Sequence, residues 1–173
     1  MSHRPLRIVL AGVLLAGATT LGGCSLLQQF LPSGQPVRDA ESGEVTQEED
    51  NADVFSIRVG DCLNSSSVVS DSGQIDHVPI VPCDQPHEDE VYYSYDLPDG
   101  DYPGEDAIVA DADTVCIAQF GDFVGIDYDD STLDYWPMYP TTESWDGGDR
   151  EVLCIAWDSS GAKLTGSLRG AAR

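Results

Sequence analysis

Residues 105–123 read EDAIVADADTVCIAQFGDF. Ile108, Ala112, Val115, Cys116, Gln119, Phe120 and Phe123 recur at steps of three and four, the spacing that lines one face of a helix. Glu105, Asp106, Asp111 and Asp113 lie toward the N-terminal half, where the helix dipole is positive. Cys116 falls on the apolar stripe, so this helix presents a cysteine to whatever covers it. No other stretch carries the period as well, and the surface opposite the stripe has to be built from strands.

The flanking sequence supplies them. VFSIRVGDCLN (54–64) alternates Phe55, Ile57 and Val59, a period of two that predicts a strand with all three turned inward. IDHVPIVPC (75–83) reads as a strand whose Pro79 and Pro82 put it at a sheet edge or a bulge. In EVYYSYDL (90–97) Val91, Tyr93 and Tyr95 share one face and Tyr92 takes the other. STLDYWPMYP (131–140) is extended. PTTESWDGGDR (140–150) is a turn or one short helical turn, with Gly147 and Gly148 free to take positive φ. EVLCIAW (151–157) and KLTGSL (163–168) close the chain as two strands. Short strands around one main helix predict an α+β fold with a mostly antiparallel sheet.

The N-terminus has a different logic. His3, Arg4 and Arg7 precede Ile8–Leu21, fourteen uncharged residues. A membrane-spanning helix needs about 18 or more apolar residues, whereas this length suits a signal-peptide core. Leu21-Gly22-Gly23-Cys24 resembles a bacterial lipobox: a large aliphatic residue, two small ones and a cysteine. The resemblance implies a signal peptide over residues 1–23 and a diacylglycerol on the Cys24 thiol. Two acyl chains such as palmitate give a stable anchor, at about 0.8 kcal/mol per buried methylene. Between Ser25 and Asp53 seven acids face one base, Arg38, with few apolar residues. Residues 24–53 therefore read as an acylated cysteine and a disordered acidic tether, and 54–173 as the folded domain.

Charge narrows the partners. The chain carries 8 basic and 31 acidic residues, a net charge of −23. Such a surface repels nucleic acid, whose binding depends on neutralising phosphates. It also repels anionic headgroups, which leaves contact with the bilayer to acylated Cys24. With Cys24 set aside, Cys62, Cys83, Cys116 and Cys154 remain. Four cysteines outside the cytoplasm predict two disulfides, and three pairings are open on spacing alone. Cys62–Cys83 and Cys116–Cys154 are favoured because each joins neighbouring elements of this reading.

No motif announces catalysis: Gly-x-Ser-x-Gly, the phosphate-loop pattern and His-Glu-x-x-His are all missing. No catalytic residue, cofactor or metal site is assigned. Cys83 and His87 have metal-ligand spacing, but a disulfide sulfur is no thiolate. His87, after Pro86, reads instead as a turn residue bonded to a neighbouring strand. Asp127, Asp129, Asp130 and Asp134 fail the calcium-loop pattern, with Thr132 where the sixth-position Gly is needed and no Glu at the twelfth. The strongest candidates for partner contact are Tyr135, Trp136, Tyr139 and Trp145, large amphipathic groups that suit a protein surface or a sugar face.

The order of motifs carries a resemblance of its own. Gly60-Asp61-Cys62 is followed by VPCDQPHEDEVYY with its Cys83, His87, Glu90 and Val91. A cysteine-bearing helix ending in FGDFVG comes next, then Trp145-Asp146-x-Gly148-Asp149-Arg150 before Cys154, then GSLRG. Over about residues 55–170 this resembles the septum formation domain family of actinobacterial envelope proteins. The resemblance implies a lipid-anchored domain on the extracytoplasmic face of the cell membrane, linked to cell division. The expected role is a non-catalytic binding or scaffolding module, whose partners are envelope or division proteins or cell-wall glycan. A surface solute- or cation-binding lipoprotein is the alternative, followed by an envelope hydrolase.

Overall fold

The computed structural model describes residues 34–68 and 74–173. The predicted signal peptide, Cys24 and residues 25–33 lie outside the described residues. Six strands form one sheet: β1 (Glu49–Asp53), β2 (Cys62–Leu63), β3 (His77–Val81), β4 (Asp89–Asp96), β5 (Leu133–Met138) and β6 (Glu151–Asp158). Their order is β1-β3-β2-β4-β6-β5, and neighbouring strands pair antiparallel throughout. Helix α1 (Glu105–Val124) and the short α2 (Thr142–Asp146) complete the α+β fold.

The periodic stretch forms α1, and its stripe is buried. Ile108, Ala112, Cys116, Phe120, Phe123 and Val124 pack with Tyr92, Leu133, Val152, Cys154 and Ala156 of the sheet. Full burial of one such large apolar side chain contributes about 1.5–3 kcal/mol. The Cys116–Cys154 disulfide, Cα atoms 5.5 Å apart, fastens the helix to β6. Gly125 ends the helix at φ 88°, a left-handed conformation that glycine takes without a Cβ clash, and its N–H bonds the Gly121 carbonyl at 2.9 Å. A second cluster of Leu63, Ile80, Val91, Leu153 and Ile155 gathers side chains of the other strand parity, with Val45, Ala52 and Ile57 from upstream.

The alternation at 54–59 does not form a strand. Asp53 accepts the Phe55 N–H at 3.0 Å, and Ser56 Oγ donates to the Asp53 carbonyl at 2.6 Å. These local bonds wind Val54–Ser56 into a 3₁₀ turn. Ile57 alone of the three apolar residues is buried, while Phe55 is 68% exposed and Val59 43%. The strand forms one step earlier, as β1, inside the stretch assigned to the tether. Residues 34–53 are thus drawn into the fold. Arg38, the lone base of that stretch, meets both carboxylate oxygens of Asp61 at 2.6 and 2.7 Å.

Pro79 sits on the interior strand β3, not at an edge. Its carbonyl accepts the Asn64 N–H at 3.0 Å, so the missing N–H faces the same side, just past the end of β2 at Leu63, where no ladder bond is lost. On the other side the β1–β3 register slips between Glu49 and Ala52. A second slip, between Val91 and Tyr93, changes β4. Val91 joins one cluster, while Tyr92, Tyr93 and Tyr95 all lie against the helix cluster. The expected shared face of Val91, Tyr93 and Tyr95 is therefore broken at Tyr92. KLTGSL makes only an isolated bridge, Leu164 to His87. Both disulfides pair as favoured, the second being Cys62–Cys83, Cα atoms 5.3 Å apart.

Candidate functional site

Strand alternation sends Asp89 and Glu90 to opposite sides of β4. Both are buried, 4% and 1% exposed, and each carboxylate is fastened at the floor of a different hollow. Burial pushes both carboxyl pKa values up, against the hydrogen bonds each one accepts.

Asp89 anchors an aromatic groove of about 490 Å³, lined by Tyr135, Trp136, Trp157, Ser65, Ser66, Glu88 and Asp158 among others. Ser65 donates its hydroxyl to Asp89 Oδ2 at 2.6 Å and its N–H at 3.3 Å. Trp136 Nε1 donates to Asp89 Oδ1 at 3.0 Å, which sets the tilt of the indole. Trp136 pairs with Ile155 of β6, two residues before Trp157, so the two indoles lie diagonally on one face. Glu88 stands beside them with its pKa lowered. Partial burial raises it, but the Ser66 N–H and hydroxyl and Lys163, 3.6 Å away, outweigh that.

Glu90 floors a wider cleft of about 930 Å³. Its carboxylate accepts the Ser167 hydroxyl at 2.6 Å and the Leu168 N–H. Beside it lies the Cys62–Cys83 disulfide, the two sulfurs and a Glu90 oxygen falling within 4.8 Å of one another. Because those sulfurs are bonded to each other they offer no thiolate to a metal. The cleft wall holds Arg38, Arg58 and Arg169. His87, fully buried nearby in sequence, exchanges backbone bonds with Leu164 at 3.0 and 2.7 Å. Its Nδ1 lies 2.8 Å from the carbonyl oxygen of Gln85, its own turn, and not from a neighbouring strand. Nδ1 therefore carries the proton. Its Nε2 has no hydrogen-bond partner among the described residues.

The four aromatic candidates fall in three places. Tyr135 and Trp136 line the groove. Tyr135 also donates its hydroxyl to Asp113 of α1. Tyr139 lies elsewhere, its hydroxyl 2.8 Å from Glu105, and burial followed by that carboxylate lifts its pKa to about 12. Trp145 is 4% exposed and belongs to the core. Its Nε1 donates to the Gly100 carbonyl at 3.0 Å, and the Arg150 guanidinium lies 3.7 Å over its ring. Arg150 finds its acid in Asp99, Nε to Oδ1 3.4 Å. The Trp-Asp-x-Gly-Asp-Arg run is thus a clamp on the fold. In the acidic loop, Asp134 accepts the Tyr128 hydroxyl at 2.6 Å. That bond comes first among the causes that raise the tyrosine to about 12.

Trp157 and Asp89, central to the groove, were not singled out from the sequence. Trp157 lies at the end of a predicted strand, and nothing local ties it to Trp136. The cleft was closer to legible. Gly60-Asp61-Cys62, the Pro82–Gln85 turn with Glu90, and Gly166-Ser167-x-Arg169 lie far apart in the chain, and all line it.

These motifs agree with a family comparison. The sequence pattern of a family described as Septum formation matches residues 23–154. The chain belongs to the septum formation family. The match begins upstream of the residues that carried the resemblance and ends within β6, so Ser167, Leu168 and Arg169 lie beyond it. Membership suggests a role in septum formation. No curated protein and no solved structure matches the chain. No helix among the described residues is long and apolar enough to cross a membrane.

Proposed function

We propose that the chain is a lipid-anchored, non-catalytic binding module that works in septum formation on the extracytoplasmic side of an actinobacterial membrane. Acylated Cys24 holds it to the bilayer, and the groove of Tyr135, Trp136 and Trp157 takes cell-wall glycan. The observation that carries the septal role is the family match over residues 23–154. The groove supports the glycan contact. Aromatic rings stack on the apolar face of a sugar ring, and carboxylates and hydroxyls accept its O–H groups. The Asp89 bond to Trp136 fixes the platform before a ligand arrives, which lowers the ordering cost of binding.

A fluorescent fusion in the native host tests the septal role. Enrichment at division sites, and aberrant septa on deletion, are expected; an even envelope distribution with normal septa refutes it. Intact-mass measurement of the membrane-extracted protein tests the anchor, and an unmodified Cys24 removes it. Sedimentation with insoluble wall glycan tests the groove. The Trp136→Ala, Trp157→Ala double variant is expected to stay in the supernatant while remaining folded.

A further inference from the structure

Phe55 is the most exposed large apolar side chain among the described residues, at 68%. Its neighbours in the chain, Ser56 and Ile57, are buried, and the Asp53 cap fixes the turn that leaves the ring outside. The ring borders a pocket of about 260 Å³ whose apolar lining is Val54, Phe55, Ile75, Met138 and Leu153. Of these only Leu153 is buried. Four acids also line the pocket, Asp76, Glu143, Asp149 and Glu151, and no base does. None of the four has an ion-pair partner among the described residues. Arg150, next to two of them in the chain, is engaged by Asp99 and the Trp145 ring. Elsewhere the acids are answered: Glu88 and Asp158 of the aromatic groove have Lys163 and Arg173, and Asp61 of the cleft has Arg38.

We infer that this pocket docks a basic segment of a partner protein, which seats one large apolar side chain against Phe55 between flanking lysines or arginines. The volume lies below the roughly 300 Å³ at which small-molecule pockets begin, and suits the single anchor side chain of an interface. The apolar centre supplies the desolvated contact, and the acidic rim speeds encounter with a cationic partner and selects for it. The capped turn presents Phe55 before the partner arrives, which lowers the ordering cost. The same charges argue against other occupants. The rim repels anionic headgroups. A second copy in a two-fold contact would set the same acids against themselves. Glu151 already carries some of that repulsion. Partial burial, then Asp96 and Asp149, push its pKa up against the hydrogen bond it accepts from Ser94. A cation arriving with the partner relieves it.

The test uses the full chain in nanodiscs of zwitterionic lipid, with the Met138 methyl as the NMR reporter. Met1 is the only other methionine in the sequence, so an isotope-labelled methionine methyl is assigned by its loss in Met138→Leu. Three peptides of equal length are the probes: leucine between lysine pairs, serine between lysine pairs, and leucine between glutamate pairs. The first is expected to shift Met138 saturably and to bind at least about tenfold more tightly than the other two. Phe55→Ser is expected to weaken it about fivefold or more, and Glu143→Gln with Glu151→Gln to weaken it similarly at low salt. Asp122→Asn with Asp129→Asn, which removes two charges outside the pocket, is expected to change little. Near-ultraviolet circular dichroism checks that each variant is folded. A silent Met138 overturns the proposal, as do equal affinities for the leucine and serine peptides between lysines, or folded Phe55 or Glu143/Glu151 variants that bind as tightly as wild type. Two further results overturn it by naming another occupant. Broadening of Met138 by a spin label at the acyl-chain ends assigns the bilayer, and a shift that follows protein concentration without peptide assigns a second copy.

Discussion

Asp89 and Glu90 are neighbours on β4 with unlike surroundings. Asp89 meets a serine and an indole that both donate to it, and the result is an aromatic floor. Glu90 meets a disulfide and a C-terminal turn, with arginines on the wall above. Nothing in the two residues' own chemistry separates them. Strand alternation does, and the partners then decide whether a buried carboxylate tilts a ring or closes a turn.

The largest effect that bears on this comparison comes from the disulfides. Cys116→Ala with Cys154→Ala is expected to cost about 2–5 kcal/mol in urea unfolding, because it frees α1 from the sheet beneath both hollows. Cys62→Ala with Cys83→Ala opens a shorter loop, 21 residues against 38, and is expected to cost less. Its hydrogen-exchange changes should stay near the cleft. Equal spread of exchange through the aromatic groove would show that the two hollows are one cooperative unit.

Next in size are the carboxylates themselves. Asp89→Ala strands the Ser65 hydroxyl, the Ser65 N–H and the Trp136 N–H, at an expected cost of about 3 kcal/mol. Glu90→Ala strands the Leu168 N–H, while exposed Ser167 can turn its hydroxyl to water, so about 2 kcal/mol is expected. Tryptophan emission should change with the first variant and hardly with the second. A reversed order would mean that the cleft, not the groove, is the more tightly built.

The smallest effect is in pH. The folded-state pKa of Glu90 is raised, so folded chains hold its proton more firmly than unfolded ones. Its contribution to stability is fully present below the unfolded carboxylate pKa, about 4.3, and is lost as pH rises through the folded value. Glu88 runs the other way: lowered in the fold, it contributes above its unfolded pKa and loses that contribution as pH falls through its folded value. Glu90→Gln is therefore expected to gain on wild type as pH climbs from the acidic limb to neutrality, read from urea midpoints. Glu88→Gln should lose ground over the same range. Parallel curves for all three proteins would remove burial as the cause of the Glu90 shift.

Much of the fold was legible because helix period is a property of the chain itself. The stripe from Ile108 to Phe123 needed no distant information, whereas the two cysteine pairs, open on spacing alone, followed only from which predicted elements lay side by side. The errors have a common cause. At Val54–Ser56 a capping aspartate one residue upstream overrode a correct apolar alternation. At Tyr92 a bulge, which depends on the partner strand, reversed the parity of everything after Tyr92. At Arg38 the deciding acid was 23 residues away. The sites followed the same rule. Tyr135 and Trp136 were visible as an aromatic cluster, but Trp157 becomes their neighbour only when β6 lies against β5.

The clasp between Arg38 and Asp61 sets a stature. Had the leash begun at Cys24 and run to Val54, its thirty residues could stretch to about 100 Å. With the domain starting near Gly34, an anchor at Cys24 leaves ten residues and a contour of no more than about 35 Å. On the anchoring we propose, the module stays close to the membrane from which it hangs. Whatever it grips has to come down to that level.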